Sequence, residues 1–497
     1  MNVILNPDYK LKFIEDRAII YSSSLFSTSC NGEEGWESIL HPLHAMIFSF
    51  FNGENYIDSL KKASMFFNVP YQKISELTDN LIDNESNFLL KAQELDYIFP
   101  KRCLISIKPN EDFISIKHSY NPDMFNYNKL DLRKKRHLFP LDIHLMVNTE
   151  CTTNCIYCYA NRKKIANPLK LSRIFSLIKE ARENEARAFE ITGGDFFLYR
   201  HWFDLLKELH KNGFEPLLST KTPLNIDSVN KLSQLRIKKI QFSLDSVTTD
   251  LLKNVLLIKN SEKYLSSIKQ MFYLLEDKNI MIDIHTIITN HNAELNNLNS
   301  LFLFLKEHNN INDWRIDNAH SSLYKSDEEN RKFLINKDDY ENIITFLNSL
   351  NNEKDHSFKI YYDSDAEKDE YTSIAHFNNQ KVLCSGNYSN LVILPDGDVT
   401  ICEQLYWHPR FLIGNVVNSS ISEVWKSTKA LNLYTIKQKE IKGNSPCSSC
   451  FDFEVCHEFK HICWLNAIKA YGNDNWDYPD PDCPKAPAIE SYFSKQF

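Results

Sequence analysis

Glycine is scarce in this sequence, with 11 residues among 497, and long apolar runs are missing. No stretch of 18 consecutive apolar residues occurs, so no membrane-spanning helix is expected. The start, MNVILNPDYKLKF, lacks the basic segment and apolar core of a signal peptide, and we therefore expect a cytoplasmic protein. With a net charge of −8, a basic surface for nucleic acid is not expected either.

Cysteine, by contrast, is well represented, with 12 residues. Ten of them fall into three sets, at 151–158, 384–402 and 447–483, whereas Cys30 and Cys103 stand apart as ordinary thiols. Disulfides are typical of exported proteins, and this sequence shows no export signal. Clustered cysteines in a reducing compartment indicate metal sites instead.

Residues 1–100 predict a winged-helix-like α+β module. Short apolar strands come first, and amphipathic helices follow, the first of them over 41–53 with Gly53 as its C-cap. A linker is predicted over 101–140. It contains the basic segment LRKKRH at 132–137, which is interpreted as solvated.

The pattern changes from residue 141 to residue 350, where strands alternate with amphipathic helices. Such alternation predicts a parallel sheet with helical crossovers, and thus an α/β fold with a partial (β/α)6 TIM-like barrel. A polar bridging region at 351–380 precedes a Cys-rich C-terminal region at 381–497. The six predicted barrel strands are 141–148, 188–193, 215–220, 238–245, 281–289 and 313–319.

The first cysteine set, in 148-NTECTTNCIYCYANR-162, has the spacing C-x3-C-x2-C directly after a predicted strand. Three thiolates on one short loop can hold three irons of a cubane cluster and leave the fourth iron open for a ligand. On spacing alone, a zinc site or a chance arrangement stays open as an alternative. The loop follows the carboxyl end of a barrel strand, where active sites gather, and this favours the cluster.

A second motif, 191-ITGGDF-196, ends the second predicted strand, and its glycines would let the backbone approach a ligand closely. Together with C-x3-C-x-aromatic-C, this GG-acidic motif resembles the radical SAM superfamily. The resemblance implies that Cys151, Cys155 and Cys158 hold a [4Fe–4S] cluster. That cluster would bind S-adenosyl-L-methionine and yield a 5′-deoxyadenosyl radical.

The same resemblance implies cofactor contacts at the strand ends. Tyr157 holds the aromatic position whose backbone meets the adenine, and Asp195 stands where the superfamily usually has Glu at the methionine amino group. Ser243 and Asp245 match the region that contacts ribose or carboxylate. The full set of implied contacts is Tyr157, Gly193, Gly194, Asp195, Ser219, Ser243 and Asp245, with Lys221, Asn290 and Asn292 as further candidates.

Seven cysteines follow residue 380, which is too many for one four-coordinate ion and implies at least two metal sites. A pair of structural zinc ions is one interpretation. The run C-x2-C-x5-C-x6-C also resembles the SPASM domain, which carries two auxiliary [4Fe–4S] clusters. The resemblance implies one cluster on Cys384, Cys402 and Cys463, and another on Cys447, Cys450, Cys456 and Cys483.

One departure concerns Cys463, since six residues separate it from Cys456 where the family usually has three. His457 and His461 lie in that interval and are alternative ligands, although they also fit ordinary surface or core histidines. With three protein ligands, the first auxiliary cluster would have an open iron or a further, unidentified ligand. Trp425, in a stretch that resembles the segment between the family's cysteine blocks, is expected in the core.

Proteins with this domain pair mostly modify peptides, and residues 1–100 resemble the peptide-recognition element of ribosomal peptide maturases. The resemblance implies a precursor peptide with a leader as partner, a flavodoxin or ferredoxin as reductant, and an intrapeptide carbon–carbon or thioether cross-link as product. Epimerisation, oxidation of a protein Cys or Ser, and a non-catalytic iron–sulfur carrier stay open as alternatives. The catalytic residues are not assigned, although Asp317, His320 and Glu403 are candidate bases.

Overall fold

The computed structural model describes residues 1–26, 28–91, 96–108, 120–133, 135–353, 356–362, 384–459 and 462–489. The chain divides into two compact units. The first consists of Met1–Leu141 with Glu185–Ala188, and the second of Asp142–Asn184 with Phe189–Phe497. None of the described helices is long and apolar enough to cross a bilayer.

The described part of the first unit contains small antiparallel sheets and three helices. Its strands are β1 (Asn2–Leu5), β2 (Tyr9–Ile14), β3 (Arg17–Ser22), β4 (Glu37–Leu40), β5 (Asn52–Asn55), β6 (Phe88–Lys91), β7 (Asp96–Phe99) and β8 (Leu104–Ile107). Its helices are α1 (Pro42–Phe48), α2 (Tyr56–Phe67) and α3 (Tyr71–Thr78). The strands pair in the orders β5-β1-β8, β2-β3-β4 and β6-β7, and the sheets and helices share one apolar core.

The first helix ends earlier than the sequence predicts. α1 stops at Phe48, and residues 52–55 form β5, which pairs with β1. Gly53 lies within that strand with φ +92°, so its predicted role as a helix C-cap is wrong. The left-handed cap is found instead at the end of α2, where Asn68 has φ +51°.

The predicted linker 101–140 belongs to the first unit. β8 lies in this stretch and pairs with β1, with Leu104 opposite Leu5. Phe125 is buried in the core of the unit, with only 1% of its surface exposed. The strand was missed because its four residues are too short a run to separate from irregular chain.

The basic segment 132–137 carries internal ion pairs. Lys135 Nζ lies 2.9 Å from Asp16 Oδ2, and Arg133 binds the carboxylate of Asp131 at 2.8 Å. The hydrogen bond from Arg133 holds the pKa of Asp131 well below its usual range. These contacts partly neutralise the segment within its own unit.

The second unit alternates strands and helices and ends in short elements. Its strands are β9 (Asp142–Met146), β10 (Ala188–Thr192), β11 (Ser219–Thr220), β12 (Lys239–Ser243), β13 (Met281–Ile288), β14 (Ile311–Asn318), β15 (Lys359–Tyr362), β16 (Asn390–Ile393), β17 (Asp398–Thr400) and β18 (Leu412–Asn415). Its helices are α4 (Leu171–Glu183), α5 (Trp202–Lys211), α6 (Ile226–Gln234), α7 (Thr249–Leu256), α8 (Ser261–Asp277), α9 (Leu295–Lys306), α10 (Asp327–Arg331), α11 (Lys337–Asn352), α12 (Ile421–Trp425), α13 (Thr428–Tyr434), α14 (Phe453–Phe459) and α15 (Trp464–Tyr471).

All six predicted barrel strands are present, and they lie in two sheets. β11 to β15 form one parallel sheet in chain order, whereas the other has the order β10-β9-β16-β17-β18. β15 extends the parallel sheet from within the predicted bridging region. β16, from the Cys-rich region, pairs in parallel with β9, so this region is built into the sheet beside the first barrel strand.

The parallel sheet has an apolar face and a polar face because side chains alternate along each strand. On the apolar side, Phe242 and Trp314 are fully buried, and the ring of Phe242 lies 5.9 Å from Phe272 of α8. We call the opposite side the inner face. The inner face carries Ser219, Gln241, Ser243, Asp283, His285, Asp313, Arg315 and Asp317. TIM barrels usually fill this side with apolar residues, so a polar inner face favours a ligand.

β10 contributes a buried acid, Glu190, which has 6% of its surface exposed. Its carboxylate accepts a hydrogen bond from Leu217 N at 2.8 Å. Burial raises the pKa of Glu190 to about 7, and nearby Asp142 adds to the increase. The folded protein therefore favours the protonated form of this side chain.

We expect Glu190→Gln to stabilise the protein at alkaline pH. The raised pKa of Glu190 means that the wild-type protein loses stability as the pH rises from the unfolded value towards about 7, and the amide removes that loss. In urea unfolding the variant should gain up to about 3 kcal/mol near pH 8 and almost nothing near pH 4. Glu183→Gln, on the exposed surface of α4, is the control. A gain that is the same at every pH would contradict the assignment.

Candidate active site

The loop of residues 148–162 follows β9 and is fastened to the end of β10 by main-chain hydrogen bonds. Gly194 N donates to Asn148 O at 2.9 Å, and Asp195 N donates to Glu150 O at 2.7 Å. Asn148 Nδ2 in turn donates to the Asp195 carbonyl at 2.9 Å. The cysteine motif and the GG-acidic motif are therefore one structural element.

The two glycines allow this close approach. A Cβ atom on Gly194 would lie 2.1 Å from the carbonyl oxygen of Glu150, which no side chain can tolerate. Gly193 has φ +150°, and a Cβ there would lie 2.8 Å from Asn148 O. Both glycines were expected at the methionine amino group. The structure shows them in contact with the main chain that leads into Cys151.

Cys151, Cys155 and Cys158 are half-buried free thiols. The pKa of Cys151 is raised to about 12, chiefly by burial, and the neighbouring thiols of Cys158 and Cys155 contribute to the increase. Three sulfur donors on one loop fit the protein ligands of an open [4Fe–4S] cluster. Among the described residues, no three His, Cys, Asp or Glu side chains are arranged to hold a single metal ion.

A buried network of Lys221, Asp245 and Tyr157 lies beside this loop. Lys221 Nζ donates to Asp245 Oδ2 at 2.8 Å and to the Tyr157 hydroxyl at 2.6 Å, and that hydroxyl donates to Asp245 at 2.6 Å. Burial alone would lower the pKa of Lys221, but Asp245 raises it above its usual value. The network brings two predicted cofactor residues together, and it fixes the aromatic side chain of the cysteine motif.

The carboxylate of Asp195 points to the end of β11. Its Oδ2 accepts hydrogen bonds from Thr220 Oγ1 at 2.8 Å, from the main-chain amides of Lys221 and Thr222, and from Thr222 Oγ1 at 2.7 Å. The residue is 4% exposed. Asp195 thus binds the adjoining strand end, and its expected contact with the methionine amino group stays a prediction.

The two predicted serines, Ser219 and Ser243, lie on the inner face. Ser219 is paired in register with Gln241, which precedes Ser243 by two residues on β12. Ser219 accepts a hydrogen bond from Gln241 Nε2 at 3.2 Å. Ser243, at the end of β12, is paired in register with His285 of β13. Their contacts with a cofactor stay predictions.

Asn292 has a positioning contact. It is fully buried, and its Nδ2 donates to the carbonyls of Asp245 at 3.2 Å and Ile287 at 3.0 Å. Asn290, two residues earlier in the chain, donates its main-chain amide to Phe333 O at 3.0 Å. Asn292 therefore holds the main chain of Asp245, whose side chain belongs to the buried network.

In the C-terminal region, Cys384, Cys402 and Cys463 are the thiols predicted to form one group. Burial raises the pKa of Cys463 to about 12, and nearby Cys384 and Cys402 raise it too. The chain passes tightly behind the first of these thiols, because a Cβ on Gly386 would lie 2.7 Å from Ile401 O and 3.5 Å from Cys384 Sγ. The place of Cys463 in this group stays a prediction, and three thiols would fit a cluster with one open iron.

The remaining four thiols are the predicted second group. Burial raises the pKa of Cys456 to about 12, and Cys483, Cys447 and Cys450 each add to the increase. Gln438 Nε2 donates to the carbonyls of Cys447 at 3.1 Å and Cys450 at 2.8 Å, which ties the C-x2-C turn to the preceding segment. Four thiols fit a fully ligated cubane cluster.

Of the two histidines that are alternative ligands, His457 and His461, the structure describes only the first. The ring of His457 stacks on Phe453, with the centroids 3.9 Å apart, and the residue is 6% exposed. That position agrees with a core histidine. His461 lies outside the described residues.

One polar pair on the inner face was missed by the sequence analysis. His285 Nε2 lies 2.7 Å from Asp317 Oδ2, and only the carboxylate had been named as a candidate base. The strand MIDIHTII already shows His285 in phase with Asp283, on the face opposite to three isoleucines. The β13–β14 register, which brings the two side chains together, is a tertiary feature.

We expect Gly194→Ala to displace the cysteine loop and to remove the first cluster. A reconstituted variant should hold about four irons fewer per chain than the wild-type protein, because the new methyl group collides with the Glu150 carbonyl. Iron and sulfide analysis after anaerobic reconstitution measures this loss. Gly443→Ala is the matched control, since nothing lies within 4 Å of a Cβ at that position. An unchanged iron content in Gly194→Ala would contradict the role given to this contact.

Comparisons with known proteins agree with this arrangement. The family model of the radical SAM superfamily matches residues 146–296, and that of SPASM, an iron–sulfur cluster-binding domain, matches residues 384–451. GTP 3′,8-cyclase from Clostridium perfringens strain SM101 is 25% identical over 155 residues, which are 29% of this chain and 46% of the relative. The chain thus spans about half the length of the curated relatives that it matches.

Among solved structures, Streptococcus suis SuiB bound to S-adenosylmethionine superposes with a TM-score of 0.63 at 15% identity, covering 97% of this chain and 100% of that chain. SuiB bound to its precursor peptide SuiA gives a TM-score of 0.62 at 15% identity with the same coverage. At this identity the similarity shows a shared fold. The chain therefore contains one region, residues 146–296, that matches the radical SAM superfamily and another, residues 384–451, that matches the SPASM iron–sulfur cluster-binding domain.

Proposed function

We propose that this enzyme matures a ribosomally made precursor peptide by closing a carbon–carbon or thioether cross-link within it. The observation that carries the proposal is the extent of the fold similarity to SuiB, which includes 97% of this chain and therefore most of the N-terminal unit. That structure of SuiB contains a precursor peptide. The polar inner face adds support, because it offers hydrogen-bond partners to a peptide beside the cysteine loop.

The chain's own residues would hold and orient the cofactors. Cys151, Cys155 and Cys158 would bind the first cluster, which when bound supplies the electron that cleaves S-adenosylmethionine into methionine and a 5′-deoxyadenosyl radical. The Lys221–Asp245 pair holds the Tyr157 side chain, and with it the main chain that is expected to meet the adenine. The two C-terminal thiol groups would bind auxiliary clusters that accept the electron released on bond closure.

The N-terminal unit would bind the leader of the precursor. Its antiparallel sheets end in edge strands, and an extended peptide can add to such an edge through main-chain hydrogen bonds. A flavodoxin or ferredoxin would deliver the reducing electron. Both partners belong to the proposal, together with the cytoplasmic location that such a reductant requires.

Incubation of the reconstituted full chain with S-adenosylmethionine, a chemical reductant and the precursor peptide encoded beside it tests the proposal. We expect 5′-deoxyadenosine and a peptide lighter by two hydrogen atoms, with the bond located by tandem mass spectrometry. A core peptide without its leader should react at least about tenfold more slowly if leader docking contributes about 1.4 kcal/mol or more. A peptide whose mass is unchanged in ordinary water, but which gains one deuterium when the reaction runs in heavy water, would contradict the cross-link and indicate epimerisation.

We also expect the three thiol groups to be separable by substitution. The wild-type protein should hold about twelve irons, and replacement of Cys151, Cys155 and Cys158 by alanine should leave about eight and abolish deoxyadenosine formation. Replacement of Cys447, Cys450 and Cys456 should also leave about eight irons but spare deoxyadenosine formation while the cross-link is lost.

Cys30→Ala is the control for these substitutions, because Cys30 belongs to the N-terminal unit and to none of the predicted thiol groups, so the variant should keep the wild-type iron content. A wild-type protein with about four irons would contradict the assignment of the C-terminal thiols. If the wild-type protein holds its full iron content but forms no deoxyadenosine, the result would favour the alternative of a non-catalytic iron–sulfur carrier.

A further inference from the structure

A chain of hydrogen bonds crosses the inner face of the parallel sheet. Gln241 Nε2 on β12 lies 3.2 Å from Ser219 Oγ and 3.3 Å from His285 Nδ1, and His285 Nε2 lies 2.7 Å from Asp317 Oδ2. Arg315 Nε donates to the same carboxylate at 2.9 Å. The imidazole is thus held between an amide on one strand and an ionised carboxylate on another.

This imidazole lies close to the buried network but is not part of it. Ile287, two residues after His285 on the same face of β13, donates its amide to Asp245 Oδ1 at 3.1 Å. Two residues of a strand span about 7 Å. The His285 ring therefore lies about that far along the strand from the Lys221–Asp245 pair, which holds the Tyr157 side chain. Of the His285 side chain, 23% is exposed, which leaves an edge of the ring accessible to a bound molecule.

The hydrogen bonds assign roles to the two ring nitrogens. In the neutral imidazole, Nε2–H donates to Asp317, and Nδ1 then has its lone pair free to accept. The partner of Nδ1 is the Gln241 amide at a long 3.3 Å, a weak bond that a substrate N–H or O–H can replace. Burial alone would raise the pKa of Asp317, but the hydrogen bond from His285 and the Arg315 guanidinium hold it below its usual value. The carboxylate therefore stays ionised and can stabilise an imidazolium.

We propose that His285, positioned by Asp317, is the base that takes up the proton released when the cross-link closes. The proposal rests on the proposed function and deepens it. S-adenosylmethionine, once cleaved, would supply the radical that takes one hydrogen atom from the peptide and leaves as 5′-deoxyadenosine. As the new bond closes at that carbon, His285 Nδ1 would take the proton of the attacking group. The one electron left over would pass to an oxidised auxiliary iron–sulfur cluster held by the C-terminal cysteines. The peptide loses two hydrogen atoms in total, and the charges balance.

The base can be separated from the radical step, because hydrogen abstraction comes first. His285→Gln keeps a hydrogen-bond donor for Asp317 but has no basic nitrogen. We expect deoxyadenosine formation to stay within about twofold of wild type, while cross-linked peptide falls about a hundredfold, the usual contribution of a general base. Both products are measured by mass spectrometry in the same reactions of the reconstituted full chain with its precursor peptide.

Two further variants test the assigned roles. His285→Ala should lose the cross-link to the same extent and recover part of it when imidazole is added to the reaction, a rescue that a merely structural histidine does not allow. Asp317→Asn should lower the ratio of cross-link to deoxyadenosine about tenfold, and Asp317→Glu should restore part of that ratio, because it restores the charge beside Nε2. His210→Gln, at the end of the outer helix α5, is the matched control and should behave as wild type.

The outcomes separate this inference from the function on which it rests. If wild type forms the cross-link and His285→Gln forms it in the same ratio to deoxyadenosine, the base assignment is overturned. It is also overturned if His285→Gln and Asp317→Asn, with full iron content, lose deoxyadenosine and cross-link in parallel, since both residues would then serve binding. If wild type forms deoxyadenosine but leaves the peptide mass unchanged, the proposed function fails and the inference fails with it.

Discussion

The contact between Gly194 and Glu150 is the constraint on which the candidate active site depends. The two main chains approach so closely that a single methyl group on Gly194 would overlap the Glu150 carbonyl. Hydrogen bonds on both sides of this contact bind the cysteine loop to the end of β10, and Asp195 continues the connection to the end of β11. These hydrogen bonds thereby join the ends of three successive strands, β9, β10 and β11, at the loop that carries the three thiols.

The second constraint is the cost of burying charge. Lys221 and Asp245 lose most of their hydration, and such a pair is tolerated only where geometry and further hydrogen bonds compensate for the loss. Here the Tyr157 hydroxyl and the Ile287 amide donate to the Asp245 carboxylate, and the Asn292 side chain donates to the Asp245 main-chain carbonyl. The network makes the position of Tyr157 depend on β11, on the end of β12 and on the turn after β13.

The C-terminal region is a part of the same structure and not an appended module. β16 pairs with β9 immediately before the cysteine loop. The carboxylate of Glu180 on α4 accepts hydrogen bonds from the main-chain amides of Ile421 and Ser422. Trp425, which the sequence placed in the core, is fully buried. The strand that follows Cys384 and the strand that precedes Cys402 therefore belong to the sheet that also carries the first cysteine loop.

Local patterns in the sequence were sufficient for the cysteine motif, for the six barrel strands and for the C-x2-C turn, because each depends on neighbouring residues and on a short hydrophobic period. They did not reveal β5, β8 or β15, since these short strands exist only through pairing with distant strands. The prediction of a helix that ends at Gly53 was wrong for the same reason, because residues 52–55 form a strand that pairs with β1.

The roles of individual site residues required the tertiary structure. The sequence by itself determined which residues carry sulfur, charge and main-chain freedom. The fold decided that Asp195 binds the end of β11, that Lys221 pairs with Asp245, and that His285 meets Asp317. Each of these contacts joins side chains from different segments, and its distance follows from strand register and burial, which no local pattern specifies.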